Sequence, residues 1–375
     1  MKRRKHKMQT GFFWDESTFW HGGGNYASMF PVGGFVQPMV NGGLPESPES
    51  KRRMKNLMDL TGLSGELAMQ SAPLASMEDL LRVHPKGFLD EFKRLSDTGG
   101  GEIGARCPFG PGGFEIAAQS AGLAKAALEA VLKGSVKNAY SLSRPPGHHC
   151  SADTPMGFCL LANIPVAIEA ALAGGLAKRV AVLDWDVHHG NGTEAIFYDR
   201  ADVLTISIHQ ENNFPVDTGD FADRGEGAGE GFNLNIPLGG GAGHASYLEV
   251  MEQIALPQIR AFQPDVIIVA CGFDAALIDP LGRMMATAET FRQMTRQVMT
   301  LADEICEGRL MMAHEGGYSE VYVPFCGHGV LEEMSGSKIT APDPMGAMYV
   351  KRQPGMSHQR FISSEIAQMR DALGL

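Results

Sequence analysis

Residues Arg179–Thr193 read RVAVLDWDVHHGNGT. The stretch begins as an unbroken apolar run, Val180–Leu183, and turns abruptly into Asp184, Asp186, His188, His189 and Asn191. An apolar run without alternation suits a strand covered on both faces, as in a parallel sheet. The same grammar recurs along the chain. Asn138–Leu142 runs into RPPGHH, Val203–Ile208 into His209-Gln210, Asp265–Ala270 into CGFDA, and Leu310–Ala313 into HEGGY. Between these runs lie helix-like stretches at Glu115–Leu132, Leu161–Ala173, His244–Phe262 and Thr287–Cys306. The alternation predicts an α/β fold with a doubly wound parallel sheet and helices on both faces, in one domain over residues 1–375.

Upstream, Lys51–Leu63 and Met77–Leu95 carry helical patterns, while 98–101 and 108–113 are glycine-rich turns. Residues 22–48 read as a long irregular loop, placed at an entrance or a subunit contact. Residues 336–375 read as a C-terminal extension. The basic start MKRRKHK has no apolar stretch behind it, so no secretion signal is read and the segment is expected to be a frayed, solvated terminus.

Composition narrows the class. Of 375 residues, 44% are hydrophobic and 20% charged, ordinary for a globular chain with a large core. A formal net charge of −11 argues against a nucleic-acid partner, which would meet a basic face. No apolar run is long enough to span a bilayer. The six cysteines form no C-x-x-C pair and sit mostly in apolar runs, which predicts reduced, buried thiols and a cytoplasmic protein. No repeat period is visible.

In an open parallel sheet the carboxyl ends of the strands lie along one rim, where ligands bind. Five strands here deliver titratable side chains to that rim. Taken singly, an Asp after a strand is usually a helix cap, a lone His a structural residue, and Gly-Gly-Tyr a turn. Their joint placement predicts one site.

Asp186 and His188 stand two apart on what reads as an extended segment, so both can point the same way. With Asp274 they supply one imidazole and two carboxylates, the three-ligand set with an open position that marks a catalytic zinc site. Iron(II) or cobalt(II) suits the same donors. Such a metal acidifies water and polarises a carbonyl. His148 and His149, set on a Pro-Pro-Gly turn, are placed to manage the protons, with Asp184 and Asn191 as orienting partners. Tyr318 is placed to donate a hydrogen bond to an oxyanion, and Phe158 and Phe214 to wall a narrow channel.

Together RPPGHH, GFC at 157–159, DWDVHHGNGT, SIHQ, GFDA and EGGY resemble the histone deacetylase superfamily, and within it the bacterial histone-deacetylase-like amidohydrolases grouped with class II. The resemblance covers residues 10 to 335. It implies an arginase/deacetylase-like fold, with one zinc per chain on Asp186, His188 and Asp274, and a catalytic His148, His149 and Tyr318. It also implies a potassium ion held by Asp184, Asp186, His188, Ser207 and Ile208, several through backbone oxygens. Tunnel walls would fall on Gly157, Phe158, Phe214 and Leu281, and the chain would form a dimer or tetramer.

Asn191 stands where class I members carry a second aspartate. A neutral amide stabilises an imidazolium less than a carboxylate does, so His149 is expected to have the less elevated pKa and to shuttle the proton. Tyr318 is retained where vertebrate class IIa enzymes carry histidine, which predicts a competent deacetylase. The leading expectation is removal of acetyl or short acyl groups from acyl-lysine or a lysine-like amine. An acetylpolyamine or other small-amide deacetylase, an arginase-type dinuclear manganese hydrolase and a non-catalytic acyl-group reader are the alternatives.

Overall fold

The computed structural model describes residues 9–37 and 43–375. The basic start and part of the 22–48 loop lie outside them. Eight strands form one sheet: β1 (Gly11–Phe13), β2 (Ala68–Gln70), β3 (Ala139–Ser141), β4 (Val180–Asp184), β5 (Val203–Gln210), β6 (Asn233–Leu238), β7 (Val266–Cys271) and β8 (Leu310–His314). Every pairing is parallel, in the order β6-β5-β4-β7-β8-β3-β1-β2.

The unbroken apolar runs are explained by the two cores. On β4, Val180 and Val182 face one apolar cluster while Ala181 and Leu183 face the other. On β7, Val266, Ile268 and Ala270 join the first cluster and Ile267, Val269 and Cys271 the second. Helices Gly113–Leu132 and Asn163–Ala173 cover the first face. Helices Glu49–Thr61, Ala288–Ile305 and Val323–Ser335 cover the second. All six cysteines are free and buried.

Three strands of this sheet escaped the sequence reading. β1 and β2 are three residues long, and β6 is an alternating NLNIPL that contains a proline. Pro237 is tolerated because β6 is an edge strand and needs no outward N–H. The helix expected over Met77–Leu95 is instead two, Met77–Leu81 and Lys86–Asp97, divided before Pro85. His244–Phe262 is helical throughout, with a π turn over Met251–Ala255 just before Pro257, whose missing N–H breaks the regular ladder. Residues 22–48 include a short hairpin, Tyr26–Ala27 against Phe30–Pro31. The expected extension carries helices Gly346–Lys351 and Met356–Ala372, the latter packed on helix His244–Val250.

Strand order positions the site. From β4 the chain moves outward through β5 and β6, then returns to place β7 on the other side of β4. The switch point between β4 and β7 is where an open α/β sheet leaves a crevice at its carboxyl ends. β4 leads into Asp186 and His188, and β7 into Asp274.

Candidate active site

Beyond Asp184 the chain does not stay extended, contrary to the sequence expectation; residues 186–188 bend. The bend is held by Asp186, whose Oδ1 accepts the His188 backbone N–H at 2.9 Å. That turn swings the imidazole back over the carboxylate, so His188 Nδ1 lies 3.0 Å from Asp186 Oδ1 and 3.1 Å from Asp274 Oδ2. One donor atom from each of the three residues falls within 4.8 Å of the others.

The remaining carboxylate oxygens are fixed by the backbone. Asp186 Oδ2 accepts from Gly316 N at 2.7 Å, and Asp274 Oδ1 from Val187 N at 2.7 Å. A Cβ on Gly316 would lie 2.1 Å from Asp274 Oδ2 and 2.6 Å from Asp186 Oδ2, so only glycine allows this approach. Both carboxylates are fully buried. Burial and the charge of Asp186 push the Asp274 pKa up to about 8. Two buried like charges facing one imidazole are a cradle for a cation, and the donor set suits a divalent metal with an open position.

The tandem histidines stand beside this cluster, with ring centroids 4.0 Å apart. His148 Nδ1 lies 2.9 Å from Asp184 Oδ2, and His149 Nδ1 2.7 Å from Asn191 Oδ1. Burial alone would lower the His148 pKa, but the negative charges of Asp186 and Asp184 lift it to about 10. His149 goes the other way. Burial and the charges of His148 and His188 push its pKa well below the usual value. The sequence predicted a smaller elevation; the structure gives a depression, because burial, reinforced by two neighbouring imidazoles, outweighs one amide.

Of these groups His149 and His188 face a cavity of about 180 Å³. Its walls include Gly157, Phe158, Phe214 and Leu281, together with His149, His188 and Tyr318. Gly157 has φ +53°, and a Cβ there would meet His149 Cδ2 at 2.5 Å and Phe214 Cε1 at 2.8 Å. The Tyr318 ring packs edge-on against Phe158 at 5.7 Å and stands 6.4 Å from the His188 ring. Burial raises its phenol well above the ordinary pKa. Asp184 and Ser207 sit opposite each other in the β4–β5 register, with Ile208 next along the strand.

His209 does not join the site. It is buried, with ring nitrogens 3.0 Å from Ser207 Oγ and 3.0 Å from Gly219 O, and burial holds its pKa near 3. Four strand ends converge rather than five.

Several residues carried no sequence signal. Met29, Arg106 and Asn213 also line the cavity. Glu315 Oε2 accepts from Gly147 N at 2.7 Å and His148 N at 3.1 Å, joining the HEGGY loop to the PPGHH turn. Asp279 Oδ2 accepts from Tyr318 N at 2.7 Å. Arg144, 1% exposed, donates to Glu46 Oε1 at 3.0 Å, Thr18 O at 2.9 Å and His21 O at 3.2 Å.

Comparison with known proteins gives a consistent class. Residues 44–334 match the histone deacetylase domain. The chain is 53% identical over 367 residues to a histone deacetylase-like amidohydrolase of Pseudomonas aeruginosa, covering 98% of this chain and 97% of that one. It is 36% identical over 303 residues to a probable deacetylase of Archaeoglobus fulgidus, covering 79% and 84%. The crystal structure of the HDA15 HD domain superposes with a TM-score of 0.80 at 30% identity, covering 98% of this chain and 99% of the other.

The parallel sheet with its rim of acids and histidines is thus the arginase/deacetylase-like α/β fold. The chain belongs to the histone deacetylase family, among its amidohydrolase-like members.

Proposed function

We propose that this protein is a zinc-dependent amidohydrolase that removes acetyl or short acyl groups from the side-chain amine of acyl-lysine or a lysine-like amide. The observation that carries the reading is the meeting of Asp186 and Asp274 with His188, which itself lines a cavity that His149 and Tyr318 also face. Those three residues would hold one zinc ion. When bound, it would supply a Lewis acid for the acyl carbonyl and acidify the attacking water.

The chain's own residues do the rest. His149 donates its Nδ1–H to Asn191 Oδ1, which leaves Nε2 with a free lone pair, and its depressed pKa keeps it neutral. It therefore takes the proton as water attacks the carbonyl carbon, and returns it to the nitrogen as the C–N bond breaks. His148, charged and paired with Asp184, stands beside the developing negative charge. Tyr318 keeps its proton and donates a hydrogen bond to the oxyanion. Phe158 and Phe214 exclude water along the alkyl arm. Products are the free amine and the carboxylic acid.

Potassium on Asp184, Asp186, His188, Ser207 and Ile208 would neutralise the charge behind the histidines. The resemblance further supports a single catalytic domain and a homo-oligomer, the six free, buried cysteines a cytoplasmic setting, and the net charge of −11 the absence of a nucleic-acid partner. Among the described residues no helix is long and apolar enough to cross a membrane. The test is a panel of acyl-lysine peptides and acetylpolyamines with a hydroxamate inhibitor as control, alongside metal analysis. Turnover of acetyl-lysine with about one zinc per chain is expected. A protein that binds zinc and hydrolyses none of these amides would defeat the reading.

A further inference from the structure

Among the described residues lining the cavity, only Arg106 carries a permanent charge, and the mechanism above does not use it. Its backbone stands at φ +61°, a left-handed conformation uncommon for a residue with a side chain. The loop is held there by its neighbours. Ala105 N donates to Pro155 O at 3.1 Å, Gly157 N to Ala105 O at 3.0 Å, and Phe158 N to Arg106 O at 3.1 Å. Backbone strain that the surroundings over-determine is a feature of ligand clamps.

The clamp fixes where the side chain leaves the loop. The guanidinium carbon lies 5.3 Å from the ring centroid of Phe214, which also lines the cavity. No described carboxylate lies within ion-pair distance of it; Glu102 on the same loop accepts from the Tyr26 hydroxyl instead, at 2.7 Å. Arg106 is exposed. A chain of net charge −11 therefore presents an unpaired cation, braced on an aromatic ring, at the mouth of its cavity.

An acylated amine that enters acyl end first leaves its far end at this mouth. A free ammonium there meets like charge, whereas a carboxylate meets a planar fork of donors suited to it. We propose that Arg106 is a specificity-determining residue: it selects acylated amines with an anionic group beside the entering arm, such as acyl-lysine in an acidic peptide, and disfavours acylated diamines and polyamines. This rests on reading the site as an acyl-amine hydrolase.

The experiment measures kcat/KM for three Nε-acetyl-lysine peptides, flanked by Glu, Gln or Lys, and for N-acetylputrescine. The proteins are the zinc-loaded wild type, Arg106→Lys, Arg106→Gln and Arg106→Glu, each at low and high salt. The Glu-to-Lys peptide ratio within each protein cancels any general loss of folded enzyme. A wild-type ratio of about threefold to tenfold is expected, since exposed charge pairs are worth little each. It should shrink at high salt, keep its sign in Arg106→Lys, approach one in Arg106→Gln and invert in Arg106→Glu. N-Acetylputrescine should gain on the Gln peptide in Arg106→Glu. A ratio that does not follow residue 106, or a wild type that prefers N-acetylputrescine to the Gln peptide, overturns the proposal. Hydrolysis of the Gln peptide with no such dependence fells this inference alone; no hydrolysis of any acetylated amine fells the functional reading with it.

Discussion

The backbone N–H of Tyr318 donates to Asp279 Oδ2 at 2.7 Å, while Oδ1 of the same carboxylate accepts from Leu281 N at 2.9 Å. One buried side chain thus ties the phenol-bearing loop to a cavity wall. Asp279→Ala leaves the buried Tyr318 N–H without an acceptor, at about 1–3 kcal/mol, and frees the half-buried Leu281 N–H as well. A reacting group displaced by 1 Å costs about 10²-fold in rate. Steady-state kinetics should show kcat falling more than KM changes, with zinc content retained and Asp279→Asn intermediate. A wild-type kcat in Asp279→Ala would mean that the carboxylate does not position Tyr318.

What the sequence could and could not reveal follows from what each residue needs. Asp186, His188 and Asp274 lie at the ends of long central strands, where apolar runs stop abruptly, so both strand and site were legible. β1 and β2 are too short for any periodicity to register. Glu315 and Asp279 accept backbone N–H groups from loops far away in sequence, a role with no preferred spacing. Arg106 and Met29 reach the cavity from loops whose path depends on tertiary packing. His209 looked like Asp274 in sequence, a polar residue after an apolar run, but its partners are Ser207 and Gly219.

Tyr318→Phe removes the phenol hydroxyl while keeping the ring that packs on Phe158. Turnover should fall about 10²-fold or more, the size of one oxyanion donor. Zinc stoichiometry and melting temperature should stay close to the wild type. A near-normal rate would remove Tyr318 from the mechanism.

Asn191→Asp places a carboxylate where an amide oxygen now lies 2.7 Å from His149 Nδ1. A negative charge at that distance favours the imidazolium and raises the His149 pKa. Because the base must be neutral to accept a proton, the acid limb of the kcat/KM profile should move to higher pH. An unmoved limb would separate His149 from the titration that limits the rate.

Zinc should be tied to folding through the charges it meets. At 100 times its Kd a bound ion stabilises a fold by about 2.7 kcal/mol, so adding zinc to the stripped protein should raise Tm. Asp274→Asn relieves the repulsion that lifts Asp274 to about 8. The zinc-free variant should therefore melt at or above the zinc-free wild type and respond little to added zinc. A full zinc response in the variant would exclude Asp274 from the ligand set.

Away from the site, His84 sets an acid limit on stability. Its Nδ1 lies 2.7 Å from Ala152 O and its Nε2 accepts from Ala162 N at 3.1 Å, so the ring is held neutral. Burial lowers its pKa to about 4. In the unfolded chain the ring protonates near 6.5, so between those values the unfolded state binds more protons and stability is lost as the pH drops. The loss is about 3 kcal/mol once the pH reaches 4. Denaturant titrations should show His84→Gln less stable than the wild type at pH 8, with the gap closing towards pH 4. A constant gap would show that His84 does not titrate on unfolding.

The buried guanidinium of Arg144 draws a boundary that the domain match alone would misplace. The family match begins at residue 44, yet Arg144 is held by carbonyls of Thr18 and His21, and Gly11–Phe13 pairs with both neighbouring strands. Cutting the gene to the matched span would leave Arg144 its Glu46 partner but remove the two carbonyls its Nη1 donates to, at about 1–3 kcal/mol for each unmet donor, and would leave a gap between the two strands that flank Gly11–Phe13. Anyone trimming this protein for expression should keep its opening residues.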